Sequence, residues 1–372
     1  MRSEEALRVT YLVRAPARQI AARAEALMLE QTVELPRSTA ARDAWVAGHI
    51  LGSVEGIEPV SDELYRVTIA QPLATVGDPA QLLNVAFGNC SLQPDVVLGD
   101  IELPESAFAW LPGPRAGIAG IRELAGATGR PLLATALKPM GLRPDRLAAL
   151  CGLFARAGMD LIKDDHGLAD HPFCPFEARV EACLRAVEDA ARETGRTSVY
   201  VPNLIGTPDR IARQLEFARD TGVKLALVSP MVLGLPLLAQ LAALPEGLPL
   251  LAHPSFGGVL RAEEPTLVGK LFRWFGADAV IYPHAGGRFA YSPETCRAIA
   301  AQLRAEHPCV RSAFPVPAGG IKVERVPELL EFYGTEAILL IGGSLYEGDQ
   351  DLFERTRILV NRVARAAAEA VR

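Results

Sequence analysis

The chain has 372 residues, 49% hydrophobic and 22% charged, with a net charge of −6. That is ordinary globular composition, too long for one small core and suited to a barrel of roughly 250 residues plus a domain of roughly 100. The charge gives no long-range pull on nucleic acid or an anionic membrane, no apolar run spans a bilayer, and Met1-Arg2-Ser3-Glu4-Glu5 does not read as a secretory leader, so neither partner is expected.

Six scattered cysteines without a CxxC pair argue against a zinc ribbon or a disulfide framework and for a reduced, cytoplasmic protein. Of 38 basic residues only five are lysines: Lys138, Lys163, Lys224, Lys270 and Lys322. Where charge alone is wanted the chain uses Arg. A lysine at a special place therefore hints at an amine that can lose its proton.

From Glu5 to Ala125 strands and helices interleave without a repeat. Leu7–Leu12 reads as a strand, Ala17–Met28 as a helix started by Pro16, Leu64–Ile69 as a strand and Asp78–Val85 as a helix. This suggests a small α+β domain, expected to be of ferredoxin-like type. Turn residues cluster at Leu111-Pro112-Gly113-Pro114-Arg115, and the expected division is 1–125 and 126–372. Beyond Gly129, eight apolar runs start near 132, 159, 197, 224, 248, 278, 312 and 337. Most precede an amphipathic helix, such as Asp145–Ala157, Phe176–Glu193, Asp209–Asp220 and Glu294–Glu306. Continuous apolar runs suit doubly buried parallel strands, and eight such units predict a (β/α)₈ TIM barrel, with an open doubly wound sheet as the alternative.

In such a barrel the chemistry lies where strands end. Those ends carry Lys138-Pro139, Lys163-Asp164-Asp165-His166, Pro202-Asn203, Ser229, His253-Pro254, Tyr282-Pro283-His284 followed by Gly286-Gly287-Arg288, then Gly319-Gly320 and Gly342-Gly343. Alternation puts Lys163 and Asp165 on one face and Asp164 on the other. An inward Lys, Asp and His call for a partner, either a divalent cation or one another as a structural ion pair. A free ammonium cannot ligate a cation, so Lys163 would be neutral or modified. The two glycine pairs would let a phosphate approach backbone N–H groups. Lys138 is either an acid/base or an anion-pairing lysine. His253 and His284, beside Arg288, suit substrate contact or a core-edge role.

Gly158-Met159-Asp160-Leu161-Ile162-Lys163-Asp164-Asp165, Leu137-Lys138-Pro139, Gly286-Gly287-Arg288-Phe289, Pro317-Ala318-Gly319-Gly320-Ile321 and Ile341-Gly342-Gly343, in this order, resemble the RuBisCO superfamily, specifically its RuBisCO-like, non-carboxylating proteins. Leu29-Glu30-Gln31-Thr32 and Asn84-Val85-Ala86-Phe87-Gly88 extend the resemblance to the first domain. It implies a carbamate formed from CO₂ on Lys163, and Mg²⁺ held by that group, Asp165 and the next residue. It also implies a homodimer in which Glu30 and Asn84 complete the partner's site, and a phosphate on Gly319, Gly320, Gly342 and Gly343. The shared step is proton abstraction beside a carbonyl, with an enediolate stabilised by the metal.

Departures shape the expectation. The third ligand, usually Glu, is His166, which would let Mn²⁺ compete. Met140, Pro254, Ala318 and the Gly286–Phe289 loop replace residues of the true carboxylases, so no CO₂ fixation is expected. The related enolases use a lysine of the first domain, and none precedes Lys138. The expected activity is isomerisation of 5-methylthioribulose 1-phosphate in sulfur salvage, with Lys138 and Lys163 as catalytic groups. The alternatives are 2,3-diketo-5-methylthiopentyl-1-phosphate enolase, a decarboxylase or hydrolase of a phosphorylated 3-oxo sugar acid (the 3-oxo-isoapionate 4-phosphate type), and a regulatory sugar-phosphate binder without turnover.

Overall fold

The computed structural model describes residues 5–289, 291–347 and 351–370. They form two compact units. The first takes in the chain up to Pro112 and Gly257–Leu267; the second takes in Gly113–Phe256 and the chain from Val268. The break falls inside the Leu111–Arg115 turn cluster, and helix Gly117–Ala125 belongs to the second unit.

In the first unit β1 (Ala6–Arg14), β2 (Ser53–Ser61), β3 (Leu64–Pro72) and β4 (Val96–Glu102) pair antiparallel in the order β2-β3-β1-β4. Helices Ile20–Thr32 and Pro79–Phe87 follow β1 and β3, giving the ferredoxin-like β-α-β-β-α-β order. Leu7, Val9, Tyr11 and Val13 alternate into the core, the pattern that made β1 legible. The first helix starts at Ile20, later than expected, because Gln19 N donates to Pro16 O in a preceding turn. The second begins as expected: Asp78 Oδ1 accepts from Ala80 N and Gln81 N, and Pro79 fills the first turn. Strand β2 is a largely exposed edge strand with Pro59, so it carried no alternation to read.

The second unit is a (β/α)₈ barrel. Its strands are β5 (Leu132–Ala136), β6 (Leu161–Lys163), β7 (Val199–Val201), β8 (Ala226–Val228), β9 (Leu250–Ala252), β10 (Ala279–Pro283), β11 (Phe314–Ala318) and β12 (Ile338–Leu340). They run as two parallel arcs, β12-β5-β6-β7 and β8-β9-β10-β11, and an Asn203–Leu227 bridge links the β7 and β8 sides. The eight runs expected from sequence are these eight strands. Leu132, Ala134, Leu161, Val199, Val201, Leu227, Leu251, Ala279, Ile281, Phe314, Val316, Ile338 and Leu340 form one interior cluster. At the strand starts, Asp160 pairs with Arg130 and accepts from Leu133 N, and Asp278 accepts from Gly117 N and Leu250 N. These buried carboxylates bind neighbouring segments together at the face that serves stability.

Candidate active site

The inward parity of the strands decides what reaches the mouth. Counting on by two from the interior residues gives Lys138 after Ala134, Lys163 and Asp165 after Leu161, Asn203 after Val201, and His253 after Leu251. Four of these meet. Lys138 Nζ lies 2.6 Å from Asp165 Oδ2. The other carboxylate oxygen, Oδ1, accepts from His166 N at 3.0 Å and lies 3.1 Å from His166 Nδ1. The His166 ring stacks on His253 at 4.2 Å and 8°. His253 Nδ1 accepts from Ser255 N at 3.1 Å, which leaves the proton of the neutral ring on Nε2. Lys163, 2% exposed, sits in the same mouth and donates from Nζ to Asp164 O at 2.8 Å.

The electrostatics follow from burial and crowding. Burial pushes the Lys163 ammonium down to about 8, against the pull of Asp165 and Asp164. Burial would raise Asp165, yet donors from His166 and Lys138 and the charge of Lys163 hold it well below the usual carboxylate range. Burial, helped by Lys163 and His166, drives His253 down to about 2, so it stays neutral.

Asp164 points the other way, as alternation requires. It is fully buried, accepting from Arg179 Nε at 2.9 Å, Tyr200 OH at 2.8 Å and Asn203 N at 3.1 Å. Arg179 Nη1 also donates to Ala169 O and Cys174 O. The loop after β6 is thus tied down from behind. Sequence reasoning missed this layer because its partners lie on separate elements; the signal was a buried-parity Asp164 demanding a cation. It also missed Tyr346, whose hydroxyl donates to Ala136 O and accepts from Lys138 N.

The glycines divide into two kinds. Gly319 and Gly320 have φ of +90° and +102° and need glycine for the backbone itself. Gly342 and Gly343 do not: a Cβ there meets nothing within 4 Å. Their bare backbone faces open space at the end of β12, the strand beside β5 and Lys138. Arg288 is exposed, its guanidinium 5.7 Å from the Phe289 ring, while its N–H donates to Gly319 O.

His284 is not brought to this cluster. It shares the outward parity of Tyr282, is 2% exposed, and pairs through Nδ1 with Tyr333 OH at 3.0 Å. Burial pushes it down to about 4. Glu30 and Asn84 lie in the first unit, where Glu30 Oε1 accepts from Asn89 and Asn84 donates to Gln81. Among the described residues no group of three or more His, Cys, Asp or Glu is placed to hold a metal ion. Asp165 and His166 offer two donors side by side, while the Lys163 ammonium donates to Asp164 O.

A model of the ribulose bisphosphate carboxylase large chain, catalytic domain, matches residues 117–307. Ribulose bisphosphate carboxylase-like protein 1 of Rhodopseudomonas palustris is 46% identical over 98% of this chain and 99% of that protein. The chain belongs to the RuBisCO large-chain family. Within it the similarity is to RuBisCO-like members. The 5-methylthioribulose-1-phosphate isomerase of Rhodospirillum rubrum is 44% identical over 97% of each chain. A crystal structure of a Rubisco-like protein from Rhodopseudomonas palustris superposes with a TM-score of 0.90 at 42% identity, covering 97% of this chain and 98% of that one.

Proposed function

We propose that this chain is a metal-assisted isomerase of 5-methylthioribulose 1-phosphate. The observation that carries the reading is the convergence of Lys138, Lys163, Asp165 and His166 at one barrel mouth. Full-length similarity to the Rhodospirillum rubrum protein of that name supports the substrate. The absence of any lysine before Lys138 disfavours the enolase alternative, which needs a first-domain base.

The donor set fits a lysine carbamate and a divalent ion. Only a neutral amine attacks CO₂, and a pKa of about 8 leaves about a tenth of Lys163 neutral at pH 7, against less than about a thousandth at the ordinary value. The carbamate, Asp165 and His166 would hold Mg²⁺ or Mn²⁺, which when bound supplies positive charge to stabilise an enediolate. Lys138 holds or moves the proton at the substrate carbon. Gly319, Gly320, Gly342 and Gly343 receive the phosphate, and His253 stays neutral to donate from Nε2. His284, behind the strand, shapes this wall rather than touching substrate. Glu30 and Asn84 complete the site of the second subunit of a homodimer.

The test is product formation. Purified protein with Mg²⁺ and bicarbonate should convert 5-methylthioribulose 1-phosphate into an isomer of the same mass, followed by ¹H and ³¹P NMR. No conversion, together with CO₂ release from a phosphorylated 3-oxo sugar acid, would replace isomerisation by decarboxylation.

A further inference from the structure

We infer that Asn203 is a positioning residue for His166, fixing the backbone from which that candidate ligand projects. The inference rests on the metal-site reading above. Asn203 lies two residues past Val201, the last residue of β7, bridges to Leu227, and is fully buried. Its single carboxamide nitrogen donates twice, to His166 O at 2.9 Å and to Leu168 O at 2.9 Å. Its backbone N–H donates to Asp164 Oδ2 at 3.1 Å. One residue thus holds the loop on both sides of Asp165.

The orientation of the amide is decided by these bonds. Asn203 Oδ1 is buried without a partner among the described residues. Flipping the amide would turn that oxygen toward two carbonyl oxygens and forfeit both bonds. The side chain therefore tolerates an unmet acceptor to keep both N–H groups on the loop. The consequence for His166 is specific. With its carbonyl pinned from below, its N–H and Nδ1 both face Asp165 Oδ1 and its ring lies flat on His253. Without this hold on its backbone the loop would carry the imidazole away from Asp165 and His253, and a mobile ligand binds metal poorly.

The test is a double-mutant cycle read by Mn²⁺ binding, using electron paramagnetic resonance of free Mn²⁺ with bicarbonate present and no substrate. Asn203→Leu keeps the volume and removes both donors. It should weaken Mn²⁺ binding by about 10–100-fold in the wild-type background, the usual effect of losing a residue that orients a ligand. In the His166→Ala background the same substitution should change affinity less than about threefold, because the positioned group is gone. Asn203→Ser, which retains one donor, should fall between and serves if Asn203→Leu does not fold. An Asn203 variant that folds and binds Mn²⁺ like wild type, or an equal loss in both backgrounds, overturns the inference. Wild-type protein that binds no Mn²⁺ overturns the metal-site reading as well, so the two failures are distinguishable.

Discussion

Arg179→Met removes the cation that faces Asp164. The Asp164–Arg179 pair has no exposed atoms on either side chain. Burial would lower the Arg179 pKa, but Asp164, together with Tyr200 and Cys174, raises it overall. After the substitution Asp164 keeps only Tyr200 OH and Asn203 N, and the carbonyls of Ala169 and Cys174 lose their shared donor. Breaking a buried pair on one side costs about 3–5 kcal/mol, a large share of a domain's net stability of about 5–15 kcal/mol. Urea unfolding followed by circular dichroism should show that loss. Asp164→Asn in the same background removes the orphaned charge and should recover part of it. A single variant that loses less than about 1 kcal/mol would refute the buried ion pair as the clamp behind the loop.

Lys138→Ala should slow turnover by about 10²–10⁴-fold while changing unfolding by no more than about 1 kcal/mol, since the lysine side chain is 38% exposed. A parallel loss of stability and rate, seen in denaturation beside kinetics, would contradict a proton-transfer role. Gly343→Ala should leave unfolding unchanged within about 0.5 kcal/mol yet raise KM about tenfold or more, because its Cβ meets only open space until a phosphate arrives. The His284 imidazole, held down to about 4 against 6.5 unfolded, protonates first in the unfolded chain. Stability should therefore fall by up to about 3 kcal/mol as pH drops from 6.5 to 4, level off below, and show a flatter profile in His284→Leu.

The barrel was legible because doubly buried parallel strands are continuous apolar runs, and all eight appear as such. The opposed directions of Asp164 and Asp165 were legible from alternation alone. The same alternation along β10 turns His284 away from the mouth with Tyr282, toward Tyr333 OH. Arg179, Tyr200, Asn203 and Tyr346 were not legible as site-supporting groups. Each acts on a segment far away in sequence, and nothing in local pattern reveals a long-range hydrogen bond. β2 was missed for a different reason: an exposed edge strand with a proline buries no periodic face.

Solvent exchange into the substrate tests the central claim most directly. Wild-type protein in D₂O with Mg²⁺, bicarbonate and 5-methylthioribulose 1-phosphate should place deuterium on the carbon beside the carbonyl, and Lys163→Met or removal of Mg²⁺ should abolish it. Exchange that persists without Mg²⁺ or without Lys163, or wild-type protein that incorporates no deuterium, would contradict a carbamate-held metal at Lys163, Asp165 and His166.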